Sequence, residues 1–341
     1  MAEVLFVSKP VAPPWNDSSK NLVRDVAGHL QRHRPVLMHR SRLGILAHLL
    51  LGPPSDIWHF FFAPNLKTST AGRLACAIRR IPSVHTLCSM PSEGSPTRRL
   101  LFADLTVALS RATHQRLRGD GVSDAVLRII PPCVPMLPQP TELQRTGLRE
   151  KHGLPAEASI WIYPGDLEFG GGAEIALQGF AAWNRSDSVL LMACRRKTPQ
   201  SDEALFSLRD RARRWGIAHR VRWLGETPQI HELLALSDVV VMLNPSPYAK
   251  MDYPLVVLES MCLGRPVIVG KATPSAELAD DGGALATETN AEALAGAVER
   301  LSTDEDSRVQ LGRNARALAT SKFSPHLVAA AYERLYEEIL A

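Results

Sequence analysis

The sequence predicts an α/β protein with two consecutive Rossmann-like domains, each built on a parallel, doubly wound sheet. Short apolar runs alternate with longer segments of helical periodicity along the chain. The connections between them are short, as expected when crossover helices join parallel strands. Residues 131–142 contain five prolines and no apolar period, so we expect the interdomain linker there. The length of 341 residues fits two domains.

The first half contains six short segments that we interpret as strands, most of them largely apolar. They lie at 4–7, 35–39, 57–62, 83–87, 105–108 and 126–130. Helices are expected between them at about 17–33, 42–51, 68–79 and 111–119. The segment 42–51 is very apolar, so it is either a core helix or a helix that docks on anionic lipid.

The second half repeats this alternation. Strands are expected at 160–163, 189–193, 221–224, 239–243 and 267–269. Helices are expected near 173–184, 202–215, 228–236, 255–263, 290–301 and 304–320. A last helix begins after Ser324, with Pro325 in its first turn. We therefore predict domains at 1–140 and 141–322, followed by a C-terminal helix at 323–341.

Charge and cysteine content narrow the functional classes. The net charge of +4 hides an asymmetry, because residues 1–150 carry 19 Lys and Arg against 10 Asp and Glu, whereas the remainder carries 20 against 25. The basic front half suits an anionic acceptor or the inner membrane surface, and it equally fits a solvated Arg-rich surface.

No apolar run is long enough to span a membrane. Five isolated cysteines are typical of a reduced, cytoplasmic protein. Nucleic acid is not an expected partner.

The most informative segment runs from Asn244 to Gly270. A buried strand leads into a Pro-rich turn, the turn leads into a helix that starts near Leu255, and a second apolar strand follows Gly264. Glu259 is the solitary charge on that helix. This segment resembles the nucleotide-sugar site of glycosyltransferase family 4, whose members are retaining enzymes with two Rossmann-like domains facing a central cleft, the GT-B fold. Segments at 103–110, 127–131, 160–165, 221–225 and 282–286 are also similar, so the resemblance covers nearly the whole chain.

The resemblance implies donor-binding roles around this helix. Glu259 would accept hydrogen bonds from the ribose hydroxyls. The helix start at Pro254, Leu255 and Val256 offers free N–H groups and a positive dipole end, on which the donor diphosphate could rest. Gly225 ends the strand that usually contacts the base. The C-terminal helix is expected to cross back to the first domain.

The segment also departs from the family pattern. The family usually carries two glutamates separated by seven residues, and the first of them falls on Met251. Methionine cannot usefully accept hydrogen bonds from sugar hydroxyls. Asp252, which suits sugar hydroxyls, or Lys250, which suits a phosphate or carboxylate, is the candidate replacement, and both are predicted catalytic residues. The alternative is an altered or lost site.

A glycine-rich loop follows the first strand of the second domain. Its glycines let the backbone approach a ligand closely and leave amides free. The predicted donor-binding positions are Gly165, Gly170, Gly171 and Gly172. Family members usually have Arg after the first glycine and Lys before the second, but Asp166 and Gly170 stand at those positions. Arg195, Arg196 and Lys197, which follow the next strand, are the candidate replacements for the missing charges, or else a solvated turn.

Two further positions concern the first domain. His85 ends a strand where the family commonly has a histidine near the donor sugar and acceptor, so we predict a catalytic role, against the structural role that a lone histidine often has. The acceptor is expected to bind near a helix N-terminus, at Asp17, Ser18, Ser19 and Lys20, although these residues could simply cap the helix. No metal site is expected, since Asp304 to Asp306 fit a helix start and no His, Cys and Asp set has metal spacing.

Together these features favour a retaining glycosyltransferase that uses a nucleoside-diphosphate sugar, with UDP or GDP as the expected carrier and no further cofactor. The acceptor would be a hydroxyl of a glycan, a lipid-linked molecule or a small molecule. Two alternatives remain. One is another enzyme on the same architecture, such as a sugar-nucleotide epimerase; a phosphorylase would need a pyridoxal-binding lysine, for which Lys197 and Lys250 are poor candidates. The other is a non-catalytic nucleotide-binding partner subunit. The expected location is cytoplasmic, with possible peripheral contact at the inner membrane face.

Overall fold

The structure is a computed structural model, and it describes residues 1–38, 41–92, 94–168, 170–245 and 251–341. The strands are β1 (Glu3–Val7), β2 (Arg34–Leu37), β3 (Ile57–Phe62), β4 (Ser83–Leu87), β5 (Leu105–Ala108), β6 (Leu127–Ile129), β7 (Ser159–Tyr163), β8 (Ser188–Met192), β9 (Val221–Trp223), β10 (Val239–Met242), β11 (Val267–Gly270) and β12 (Leu285–Thr287).

The α-helices alternate with these strands. They are α1 (Ser18–Ala27), α2 (Arg42–Leu51), α3 (Leu66–Arg79), α4 (Thr97–Leu100), α5 (Arg111–Gly119), α6 (Glu142–Lys151), α7 (Gly172–Trp183), α8 (Ser201–Arg214), α9 (Ile230–Leu236), α10 (Leu255–Cys262), α11 (Glu277–Asp280), α12 (Ala291–Thr303), α13 (Glu305–Lys322) and α14 (Pro325–Leu340).

The strands form two sheets of six, and every pairing between named strands is parallel. The first sheet has the order β2-β1-β3-β4-β5-β6, and the second has the order β12-β11-β10-β7-β8-β9. The predicted α/β class with two Rossmann-like sheets is therefore confirmed. The first compact unit contains residues 1–135, 247–255 and 322–341, and the second contains residues 136–246 and 256–321.

A buried hydrogen-bond network holds α14 within the first unit. The ring of His59 contacts Tyr336 Oη at 2.6 Å through Nδ1 and Thr86 Oγ1 at 2.8 Å through Nε2. Thr86 in turn contacts Tyr332 Oη at 3.1 Å. Burial holds the pKa of His59 well below its usual range, so the ring is neutral. These contacts join β3 and β4 to the C-terminal helix, which belongs to the first unit.

A buried ion pair anchors the amino ends of two strands in the second unit. Asp238 precedes β10 and accepts hydrogen bonds from Arg149 at 2.9 Å, from Arg145 at 2.7 Å and from the backbone N–H of Ile160 at 2.8 Å. Both Arg149 and Asp238 are buried. This cluster lies at the amino edge of the sheet, so the opposite, carboxyl edge remains for a ligand.

The sequence misplaced some elements. The first helix ends at Ala27 rather than near 33. Four elements were not predicted: α4, α6, α11 and β12. Helix α6 follows the Pro-rich linker with a capping box between Thr141 and Gln144. The other three contain only three or four residues each, too few to show a period. The apolar segment of α2 is only partly core, since Leu49 is buried but Leu43 and Leu51 are 82% and 86% exposed.

Candidate functional site

Three neighbouring strands of the second sheet, β10, β7 and β8, end side by side. Asn244 follows β10, Gly165 follows β7 and Arg195 follows β8. Hydrogen bonds extend the pairing of the last two beyond the sheet, because Arg195 N–H donates to the Gly165 carbonyl at 3.0 Å and Leu167 N–H donates to the Arg195 carbonyl at 3.1 Å. Residues from three loops therefore share the carboxyl edge, where open parallel sheets bind ligands.

The glycine-rich loop has a backbone that favours glycine. Gly170 and Gly171 have φ angles of 78° and 67°. Gly171 is the N-cap of α7 and has no side chain, so it cannot itself cap the amides in the first turn of that helix. An α-helix N-terminus at a sheet edge favours an anion, because its N–H groups and dipole both point toward it.

The wall behind this loop is tightly packed. A Cβ atom on Gly165 would lie 2.3 Å from the ring of Tyr163, and one on Gly172 would lie 2.5 Å from Asn244 Oδ1 and 2.7 Å from the Leu243 carbonyl oxygen. Asn244 is 4% exposed, and its Oδ1 has no hydrogen-bond partner among the residues that the structure describes. A buried amide oxygen without a partner can accept a hydrogen bond from a bound ligand.

We expect Gly172→Ala to lower the free energy of unfolding by about 2 kcal/mol, because the new methyl group overlaps a backbone carbonyl that cannot turn away. Gly296→Ala is the matched control, since this glycine also lies in a helix and its Cβ would meet nothing within 4 Å. The control should raise stability by up to about 1 kcal/mol. Urea denaturation measures both changes, and equal midpoints for the two variants would contradict the close approach.

Asp166, which stands where the resemblance leads us to expect an arginine, binds two residues of the predicted basic run. Asp166 is fully buried and accepts hydrogen bonds from Arg195 at 2.9 Å and from Lys197 at 2.8 Å. The Arg195 and Lys197 side chains remain 33% and 34% exposed, and the three side chains together carry one net positive charge. Arg196 is directed elsewhere, because it pairs with the exposed Asp202.

Glu259 lies near an unpredicted histidine. The Glu259 side chain is 12% exposed, and its Oε2 lies 3.4 Å from His231 Nε2 on α9. At the start of α10, Leu255 is buried whereas Pro254 and Val256 are half-buried. Gly225 follows β9 with φ of 66°, and a Cβ there would meet no described atom within 4 Å. The Glu259 carboxylate is thus nearly enclosed, and its Oε2 faces Nε2 of His231.

The segment with the altered glutamate belongs to the first compact unit. Asp252 is 3% exposed, and Ser110 Oγ donates to its Oδ2 at 2.6 Å. Ser110 lies two residues after β5 and is the N-cap of α5, through a hydrogen bond from Thr113 N–H. Met251 is buried. Lys250, the other predicted catalytic residue of this segment, lies outside the described residues.

The carboxylates of Asp17 and Asp252 both influence the pKa of one buried thiol in the first unit, that of Cys88. Burial, together with these two carboxylates, raises the pKa of the Cys88 thiol. Cys88 follows β4, Asp17 precedes α1 and Asp252 contacts Ser110, two residues after β5. The structure therefore gathers two of the predicted site residues near the carboxyl edge of the first sheet.

His85 lies within the core. It is fully buried, its ring contacts those of Phe62 and Phe102 at centroid distances of 4.4 and 4.9 Å, and Nε2 lies 3.3 Å from the Phe62 carbonyl oxygen. Burial lowers the pKa of His85 to about 3, so the ring is neutral. This environment favours the structural alternative over the predicted catalytic role.

The predicted acceptor residues form the start of α1. Asp17 is its N-cap and accepts hydrogen bonds from the Ser19 N–H at 2.9 Å and the Lys20 N–H at 3.4 Å, and it pairs with Lys9. Ser18 is the first helical residue, and all four predicted residues are half-buried. Burial alone would raise the pKa of Asp17, but the Lys9 ammonium and these hydrogen bonds lower it to about 2.

We expect Asp17→Ala to lower the free energy of unfolding by about 1–2 kcal/mol at pH 7, through loss of the cap. The folded pKa of Asp17, about 2, lies below its ordinary value of 3.8. The stabilisation is therefore present above pH 3.8 and is lost as the pH falls through 2. Urea denaturation of the wild type and variant at pH 7 and pH 3 measures it. A stability difference that grows on acidification would contradict this assignment.

The structure adds residues that sequence reasoning did not assign. Asn244 and Tyr163 pack against the glycine loop, His231 faces Glu259, and Ser110 binds Asp252. Asn244 and Ser110 each lie two residues after a strand, a position that could have indicated them as site residues from the sequence. No such pattern pointed to His231, because its proximity to Glu259 depends on how α9 and α10 pack.

Two negative observations apply to the described part of the chain. No three His, Cys, Asp or Glu side chains there are grouped so that they could hold a metal ion. No helix among the described residues is both long enough and apolar enough to span a membrane.

The fold and this sheet edge define an α/β protein with two parallel sheets and an anion-compatible loop on the second. A sequence model of the family described as glycosyl transferases group 1 matches residues 144–318, just over half of the chain. The chain belongs to that family.

Relatives and solved structures agree with the family. Alpha-D-kanosaminyltransferase of Streptomyces kanamyceticus is 28% identical over 205 residues, which cover 58% of this chain and 50% of the relative. N-acetyl-alpha-D-glucosaminyl L-malate synthase of Bacillus anthracis is 29% identical over 126 residues, covering 36% and 32%. The matched regions thus span half or less of these relatives. HepE of Anabaena, solved in complex with UDP and glucose, superposes with a TM-score of 0.83 over 99% of this chain and 100% of that one, at 19% identity. At that identity the likeness establishes the fold alone.

Proposed function

We propose that this protein is a glycosyltransferase that moves a sugar from a nucleoside-diphosphate sugar to a hydroxyl acceptor, with retention of configuration. The observation that carries the proposal is the carboxyl edge of the second sheet. There the start of α7, the cations held by Asp166 and the enclosed Glu259 occur in one unit. Family membership and the names of the two relatives, a kanosaminyltransferase and a glucosaminyl malate synthase, support sugar transfer.

The donor would bind through its nucleotide. Glu259 accepts hydrogen bonds from the ribose hydroxyls, and the diphosphate lies against the glycine loop and the start of α7. Arg195 and Lys197 supply positive charge. Asp166 orients them, so the family cations are replaced from the neighbouring loop. The Anabaena protein was solved with UDP, which favours a UDP-sugar over a GDP-sugar.

The chemistry would depend on position and charge, without an enzyme nucleophile. The bond between the anomeric carbon and the leaving phosphate oxygen breaks as the acceptor oxygen bonds to the same face of that carbon. The hydroxyl proton passes to the departing phosphate. The positive charge near Asp166 and the helix amides stabilise the released diphosphate.

The acceptor would bind at the first unit, near Ser18, Ser19 and Lys20 at the start of α1. A hydroxyl-bearing glycan, lipid-linked molecule or small molecule would suit these polar groups. The names of the two relatives favour a small-molecule acceptor. We also infer a cytoplasmic location, because all five cysteines are free and four of them are buried.

Calorimetric titration with UDP and GDP, followed by a nucleoside-diphosphate release assay with a panel of UDP-sugars and hydroxyl acceptors, tests the proposal. We expect one diphosphate to bind and to be released only when a matching acceptor is present. Release of free sugar or an isomerised donor without an acceptor would favour the epimerase alternative. Failure of both nucleotides to bind would favour the non-catalytic subunit and overturn the proposal.

A further inference from the structure

The outer surface of α2 exposes leucine side chains to solvent. Leu43, Ala47 and Leu51 recur every four residues, so they form one stripe, and all three are exposed. Leu43 is 82% exposed and Leu51 is 86% exposed. Leu49, on the other side of the helix, is buried in the core. The helix is therefore apolar on both its inner and outer faces, which packing within the first unit does not explain.

The neighbouring helix α3 continues this pattern. Leu74 and Ile78 are 54% and 58% exposed and lie one turn apart. Arg79 fixes the two helices side by side, because its guanidinium donates to the carbonyl oxygens of Leu50 and Gly52 at 3.0 Å. We call the exposed surface formed by Leu43, Ala47, Leu51, Leu74, Ile78 and the adjacent cations the α2–α3 face.

The α2–α3 face carries a net positive charge. Neither helix contains Asp or Glu. Lys67, Arg73 and Arg80 are exposed, and within the described residues none of them forms an ion pair with a carboxylate. Arg73 and Arg80 also line a cavity of about 640 Å³ together with Phe102 and Asp104, and Arg73 donates to the carbonyl oxygens of Arg99 and Leu101. The three cations still outnumber this one carboxylate. Exposed leucines beside a net positive charge match the interface of an anionic lipid bilayer, which has apolar chains below phosphate groups.

We propose that the α2–α3 face docks this protein on an anionic membrane surface. Leu43 and Leu51 enter the headgroup region, while Lys67, Arg73 and Arg80 contact lipid phosphates. A second copy of the chain is a poorer occupant, because a symmetric contact would place these cations opposite one another. The proposal involves no nucleotide or sugar, so it stands or falls independently of the proposed reaction.

Sedimentation of the full chain with phosphatidylcholine vesicles, with or without about one third phosphatidylglycerol, tests the docking. We expect binding to the anionic vesicles alone and release on raising NaCl from about 0.05 to 0.5 M. Leu43→Ser with Leu51→Ser should weaken binding by about tenfold or more. Lys67→Glu with Arg80→Glu should weaken it at least as much.

Matched variants on the second unit separate membrane docking from general surface effects. Leu143→Ser with Phe206→Ser removes side chains that are 84% and 70% exposed, and Arg213→Glu reverses an exposed charge. These variants should bind like the wild type. Equal binding to both vesicle types, equal losses in test and control variants, or no vesicle binding would overturn the proposal. A dimer in light scattering without lipid that is lost in the Leu43 and Leu51 variant would instead identify a second copy as the occupant.

Discussion

Replacing Glu259 with glutamine is expected to weaken nucleoside-diphosphate binding by about 10- to 100-fold. The carboxylate can accept two hydrogen bonds from neighbouring ribose hydroxyls, and hydrogen bonds to a charged group contribute about 1.5–3 kcal/mol. Its side chain is 12% exposed, so competition from water is limited. Titration calorimetry with UDP and GDP measures the change, while the melting temperature without nucleotide should hardly move.

The matched control is Glu292→Gln, which removes an exposed carboxylate from α12. It should leave nucleotide affinity unchanged. His231→Gln, which removes the ring that faces Glu259, should cause a smaller loss than Glu259→Gln, because it affects only the position of the carboxylate. Wild-type affinity in Glu259→Gln would show that this residue does not hold the ribose.

Replacing Asp166 with alanine is expected to lower the free energy of unfolding by about 3 kcal/mol. The substitution removes the fully buried carboxylate that binds Arg195 and Lys197. Breaking a buried ion pair typically costs about 3–5 kcal/mol, and the lower end applies because both cations can still reach water. Urea denaturation monitored by circular dichroism gives the value.

Asp202→Ala is the control in the same loop region. This substitution breaks the ion pair between Asp202 and Arg196, whose side chains are 75% and 55% exposed. It should change the free energy of unfolding by about 0–1 kcal/mol. If the Asp166 and Asp202 variants had the same unfolding midpoint, the proposed organising role of Asp166 would be wrong.

Much of the fold follows from local sequence patterns. The strands that begin near Val4 and Ile160 are continuous apolar runs, which are typical of parallel sheets buried on both faces. Ser324 and Pro325 located the start of α14 because helix starts have specific residue preferences. The structure differs where the signal is short or indirect, as for the three residues of β12.

The candidate site was predictable only in part. The glycines at 170–172 and the helix at Leu255 were identifiable because their chemistry is local to a few consecutive residues. The role of Asp166 was not, since the sequence shows only an acid where the family has a cation. The contribution of Asp166 to the site depends on Arg195 and Lys197, which follow the adjacent strand and contact its carboxylate.

The sequence by itself determined the class of fold, the order of most elements and the segments that we propose bind the donor, because strand and helix periods and glycine-rich turns are local. Only the tertiary structure decided that His85 is enclosed by Phe62 and Phe102, that Asp252 binds Ser110 and that Leu43 and Leu51 face solvent. Burial and ion pairing join residues far apart in the chain. A one-dimensional pattern does not specify which of several polar or apolar side chains will meet.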